Sequence, residues 1–351
     1  YASWTFRKAE KFFDVVEFEA PTSASDNFRV SHNLGSVPAC IIVKSVDGTG
    51  DWYVYHSSLE TPRNDSLKLN TTAAFVASGD FWGEANPTTT DFGVQVRNFG
   101  TRPVTTSAGT YIAYLFASDA GGFGDDEDEN IIKCGSFTGI GQTNLGFEPQ
   151  FLLYKPYTQT ANWELADNMR RLDGVSSSVL KLQPNAEDAE AGGSEIKINA
   201  TGFYNGTFGS SYPCIYIAIR RPMKTPTAGT EVFSPVARTG TGTTAAVTGV
   251  GFSPDLFIGN IRDTAGYWNG VVDRLRGISN RLVSSQTEAE NTQTVITSFD
   301  MDGLSLTSDG NGFANENGKA YIQWLFKRAP GFMDVVAWTG AAGTLNAVTH
   351  G

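Results

Sequence analysis

Tyr321-Ile-Gln-Trp-Leu-Phe326 is an alternating aromatic run with three counterparts, Tyr1-Ala-Ser-Trp-Thr-Phe6, Tyr111-Ile-Ala-Tyr-Leu-Phe116 and Cys214-Ile-Tyr-Ile-Ala-Ile219. Alternation with a period of two is the signature of a strand. The four runs start 110, 103 and 107 residues apart, and self-similarity at a fixed spacing governs the rest of the reading. A second landmark follows each of the first three runs: Leu34-Gly-Ser-Val-Pro38, Leu145-Gly-Phe-Glu-Pro149 and Val250-Gly-Phe-Ser-Pro254. Fourteen residues beyond these prolines stand Trp52, Trp163 and Trp268, so two unrelated residue types give the same offsets of 111 and 105. The chain therefore reads as three tandem copies of one module of about 105 residues.

The edges extend the pattern. Phe6-Arg-Lys-Ala9 and Phe12-Phe-Asp-Val-Val16 return as Phe326-Lys-Arg-Ala329 and Phe332-Met-Asp-Val-Val336, and His32 returns as His350. Boundaries follow at 11–118, 119–222 and 223–328, with 1–10 ending a preceding module and 329–351 opening a fourth. The chain is expected to be cut from a longer protein at both ends.

Composition sets the class. Thirty-eight Gly and 23 Phe, with abundant Thr, Ser and Val, favour short strands joined by tight turns, and no window carries a sustained 3.6-residue apolar period. Within a module, strands are expected at the aromatic run, at Asp14-Val-Val-Glu-Phe18, Ile132-Lys-Cys-Gly-Ser-Phe137 or Glu231-Val-Phe233, and after the proline. The post-proline strand, Cys40-Ile-Ile-Val-Lys44, Phe151-Leu-Leu-Tyr-Lys155 or Leu256-Phe-Ile-Gly259, is apolar throughout and is expected to be central. Pro38, Pro149 and Pro254 precede it where a missing N–H is tolerated. Further strands are expected at the tryptophans and at Leu67–Leu69, Leu180–Leu182, Phe92–Val94 and Ile196–Ile198, with helical turns near Glu187–Glu190 and Thr287–Glu290. About seven or eight strands per module point to an all-β array of β-sandwiches, jelly-roll-like, each closing its own core. Each tryptophan is expected in that core, where burying 150–250 Å² is worth about 4 to 6 kcal/mol gross. An exposed platform for sugar stacking is the alternative.

Candidate chemistry is sparse. A net charge of −11 argues against a nucleic-acid partner, which needs clustered Lys and Arg. No apolar stretch reaches the roughly 18 residues of a membrane span. Cys40, Cys134 and Cys214 stand at different places in the repeat and read as free, packed thiols. His32, His56 and His350 assemble no metal set, and the acidic run Gly124-Asp-Asp-Glu-Asp-Glu-Asn130 lacks the EF-hand order and reads as a solvated loop. Asp167, Asp273 and Glu164 are no better singled out as a glycosidase pair than other carboxylates. Asp273-Arg-Leu-Arg-Gly277 and Asp167-Asn-Met-Arg-Arg171 are expected to form structural ion pairs across neighbouring strands. Nucleophile elbows, phosphate loops and dinucleotide fingerprints do not occur in a strand-to-helix context. No catalytic, cofactor or metal residue is assigned, and no cofactor is expected.

The order of motifs carries a resemblance: His32-Asn-Leu-Gly-Ser-Val-Pro38, Ile41-Ile-Val-Lys44, Asp51-Trp-Tyr-Val-Tyr-His56, Leu69-Asn-Thr-Thr-Ala-Ala74 and Tyr111-Ile-Ala-Tyr-Leu-Phe-Ala117. Together with Arg281-Leu-Val-Ser-Ser285, these resemble an uncharacterised repeat domain of marine bacteriophage and cyanophage virion proteins, often labelled tail or tail-fibre proteins. The second module departs most, with Cys214 at the strand-opening position and the acidic insertion. The resemblance implies a non-enzymatic structural protein of the extracellular phage particle, a tail fibre or other projecting fibre. Implied partners are other virion proteins, further copies of the chain with a trimer by analogy, and host-surface glycans. A carbohydrate-binding adhesin array and a polysaccharide depolymerase are the competing expectations.

Overall fold

A computed structural model describes residues 3–22, 25–77, 81–96, 109–124, 126–170, 172–174, 179–194, 196–206, 212–221, 224–310 and 312–336. The protein is all-β, built of several small antiparallel sheets, and its helices among the described residues are two single 3-10 turns, Asn168–Arg170 and Gly229–Glu231. It forms two compact units. One comprises Tyr1–Ala166, Leu180–Ser194 and Asn205–Arg221, and the other Asp167–Val179, Glu195–Tyr204 and Pro222–Gly351.

Three larger sheets share one strand order. The first runs Phe13–Ala20, Gly109–Phe116, Cys40–Ser45, Tyr53–His56, Leu67–Lys68. The second runs Ile132–Thr138, Pro213–Arg220, Pro149–Pro156, Glu164–Asp167. The third runs Phe233–Thr239, Ala320–Phe326, Leu256–Ile261, Gly270–Asp273, Asn280–Val283, Asn291–Thr292. Each time, the aromatic-run strand lies between the opening strand and the post-proline strand. Register is shared too. Phe116 pairs with Phe13 and Cys40, Ile219 with Ile132 and Phe151, and Phe326 with Phe233 and Leu256. Because side chains alternate between faces, a common register puts equivalent residues on equivalent faces.

The post-proline strand is interior to each sheet, and Pro38, Pro149 and Pro254 are all buried at its start. Three local expectations fail. Residues 3–6 of the first aromatic run lie outside any strand, and Tyr1 and Ala2 fall outside the described residues. An extended segment becomes a strand only when neighbours take up its N–H and C=O groups, and among the described residues no strand pairs with residues 3–6; the opening and post-proline strands of the first sheet pair with Gly109–Phe116. The acidic stretches at 187–190 and 287–290 form no helical turn, since four residues cannot offset the cost of nucleation. Glu231 closes a 3-10 turn, and the strand begins only at Phe233.

Candidate functional site

The first unit shows what the repeated sheet face does. From the first sheet Phe13, Cys40, Ile42, Phe116 and Val54, and from the second Ile132, Phe151, Leu153, Ile217 and Ile219, belong to one apolar core. These are the same register rows in the two sheets, so the sheets bury equivalent faces against each other. A gap of about 10 Å³ lies between them, bounded by Cys40, Ile42, Val54 and His56 on one side and Leu153, Trp163 and Ile217 on the other. Trp4 and Phe6 close one end of this core. Phe6 lies 5.4 Å from Phe13, 6.0 Å from Phe116 and 5.9 Å from Phe151 between ring centroids, and Trp4 meets Phe151 edge-on at 6.4 Å.

Polar groups inside this core are spent on backbone. His56 is 1% exposed, with Nε2 3.0 Å from the Tyr216 carbonyl and Nδ1 accepting from the Ser58 N–H. That pairing places the proton on Nε2. Burial pushes the imidazole pKa down to about 4. Lys155 is fully buried, donates from Nζ to the Thr72 and Ala161 carbonyls, and stands over the Trp163 ring at 5.8 Å. Burial moves its amine down to about 8. Cys40, Cys134 and Cys214 are free and buried, and burial raises the pKa of all three thiols.

The three repeated tryptophans diverge. Trp163 is 3% exposed and donates from Nε1 to the Lys68 carbonyl at 2.9 Å. Trp52 and Trp268 are half-buried; the first stacks on Tyr114 at 6.3 Å and the second faces the Arg281 guanidinium at 5.2 Å.

The third sheet is arranged differently. Its inner face, with Phe257, Val272 and Leu325, packs on a three-stranded sheet through Val247, Phe299, Leu304 and Leu306. On its outer face Phe233, Ile258 and Phe326 are the register counterparts of buried residues in the other sheets, Trp324 is the counterpart of half-buried Tyr114 and buried Ile217, and all four are only half-buried. Together with Pro235 and Phe332 they line a shallow groove of about 1050 Å³. No charged side chain lines it. Phe233 and Phe326 pack at 4.9 Å, and Phe332 stacks on Phe326 at 6.5 Å, so three aromatic rings adjoin along the groove.

The ionisable candidates are not brought together. Asp167 holds Arg170 at 2.7 Å and Asp273 holds Arg276 at 2.6 Å, both as i,i+3 pairs closing a turn, not across neighbouring strands as expected. The reason is local: each motif leaves its strand at the aspartate and bends at once. Arg274 instead spans Asp255 at 3.2 Å, Ser253 Oγ at 2.7 Å and the Pro254 carbonyl at 2.6 Å, bracing the repeated proline. Glu164 is buried against Lys181 at 2.6 Å. In the acidic run, Asp125 lies outside the described residues and Glu129 pairs with Arg220 at 3.0 Å. Among the described residues no group of three His, Cys, Asp or Glu side chains could hold a metal ion. His350 lies outside them. No helix among the described residues is long and apolar enough to cross a membrane.

The groove is the feature that sequence reasoning missed. A partial signal lies in the likeness of Phe326…Phe332 to Phe6…Phe12, since Phe6 packs on Phe13 and Phe116, the register counterparts of Phe233 and Phe326. A family model described as a domain of unknown function, DUF7483, matches residues 7–211 and 228–351. No curated protein and no solved structure matches the chain.

Proposed function

We propose that this chain, which belongs to the DUF7483 family, is a non-enzymatic structural component of a phage virion, a tail fibre or other projecting fibre. On this reading it is an array of tandem, jelly-roll-like β-sandwich modules of about 105 residues, at 11–118, 119–222 and 223–328. One observation carries the reading: three large sheets repeat the same strand order and register around the same sequence landmarks. Repetition of a stiff unit gives reach, and packing one repeat on the next limits bending. The uses found for the buried ionisable groups support it further, since His56, Lys155 and Arg274 are engaged with backbone carbonyls. The motif resemblance to phage virion repeats supplies the location. Loops between strands are where host-surface glycans would be met.

Mass spectrometry of density-gradient-purified particles from a lysate that contains the chain tests this directly. Peptides of the chain should copurify with capsid and tail proteins at a stoichiometry that persists through high-salt washing. Recovery only in the soluble, particle-free fraction would sink the proposal.

A further inference from the structure

We propose that the outer face of the third sheet is a self-association surface, through which two copies of this chain pair groove to groove about a two-fold axis. The inference concerns an interface and holds or fails independently of where the protein resides.

The first argument is an arrangement already present in the chain. The face that carries Cys40, Ile42 and Phe116 in the first sheet is covered by the equivalent face of the second, with Phe151, Leu153 and Ile219. Homotypic pairing of this face is therefore sterically feasible, with a gap of about 10 Å³ between the two sheets. The third sheet presents the same rows as Leu256, Ile258 and Phe326, left half-buried. A two-fold contact is isologous and needs only a self-complementary patch. A second copy supplies that patch.

Charge and edge protection point the same way. A net charge of −11 opposes association of copies in general, yet no charged side chain lines the groove. Continuous apolar surface of this kind marks interaction sites. Association through the edges of this third sheet is disfavoured. One edge strand, Phe233–Thr239, carries Pro235, which has no N–H to offer an added strand, and the other, Asn291–Thr292, is two residues long. Within this sheet the apolar face is the better route.

Sedimentation velocity with light scattering on the full chain, across roughly 1 to 100 µM, reads the proposal. The expected result is a reversible species of twice the chain mass. Ile258→Lys puts an ammonium in the centre of the face and should raise the dissociation constant at least about 30-fold. Pro235→Asp, at an exposed position, should do the same while leaving the circular dichroism spectrum and melting temperature intact. Met301→Lys, at a 76% exposed apolar residue elsewhere in the same unit, should leave the dimer unchanged. A monomer throughout the range, an assembly larger than two, or a dimer indifferent to both groove substitutions would overturn the inference.

Discussion

His56 shows how tightly the packed sheet face controls single residues. It lies between the two sheets of the first unit with both ring nitrogens engaged, and burial holds its pKa at about 4 against an ordinary value of 6.5. Between those two values the unfolded chain binds a proton that the folded chain does not. Stability therefore falls as pH drops through this window, and the contribution is complete above it. The total is roughly 3 kcal/mol, and the slope reaches about 1.4 kcal/mol per pH unit. Denaturant titrations at a series of pH values should show this slope, and His56→Gln should flatten it; parallel profiles for the two proteins would contradict the assignment. A second residue-scale test is Gly270→Ala. Alanine usually stabilises a strand relative to glycine, but a Cβ at position 270 would lie 2.1 Å from the Phe313 ring. The variant should lose about 1 to 3 kcal/mol, and an unchanged midpoint in a denaturation curve would refute the close packing.

At the scale of strands and sheets, the informative comparison is between Ile42 and Ile258. They are the same residue type at the same register position, yet one is 7% exposed beneath the second sheet and the other is half-buried in an open groove. The strands themselves were legible, because a proline followed by a continuous apolar run marks an interior strand whatever lies above it. What covers that run is not written in the run. The same limit explains the tryptophans: an identical spacing from the proline led to a buried Trp163 but half-buried Trp52 and Trp268, since their neighbours differ. The turn at Asp273 was misread for a related reason, as Arg276 reaches Asp273 within one turn before any neighbouring strand can compete. Because the first and second sheets share a core, they should open together. Cys40 reports on the first sheet, and Cys134 and Cys214 on the second; all three are buried and unpaired. Labelling by a thiol reagent in sub-denaturing urea should proceed with one opening free energy for all three. Leu153→Ala should lower it by about 2 to 5 kcal/mol at Cys40 as well as at the second-sheet thiols. Independent rates, with Cys40 unaffected by the second-sheet substitution, would contradict a shared core.

At the scale of the whole molecule, a repeated sheet uses its apolar face for packing. Two of the three large sheets bury that face against each other, and among the described residues the third leaves it half-buried, flooring a groove that no ionisable group lines. The function proposed here rests on geometry that repeats, with a virion location drawn from motif resemblance. Electron cryomicroscopy of purified particles decorated with an antibody fragment against the third-sheet unit tests that claim most directly. Fragment density is expected on filaments projecting from the particle, at regular intervals along them. Particles that carry no fragment density, or carry it only within the capsid shell, would contradict it.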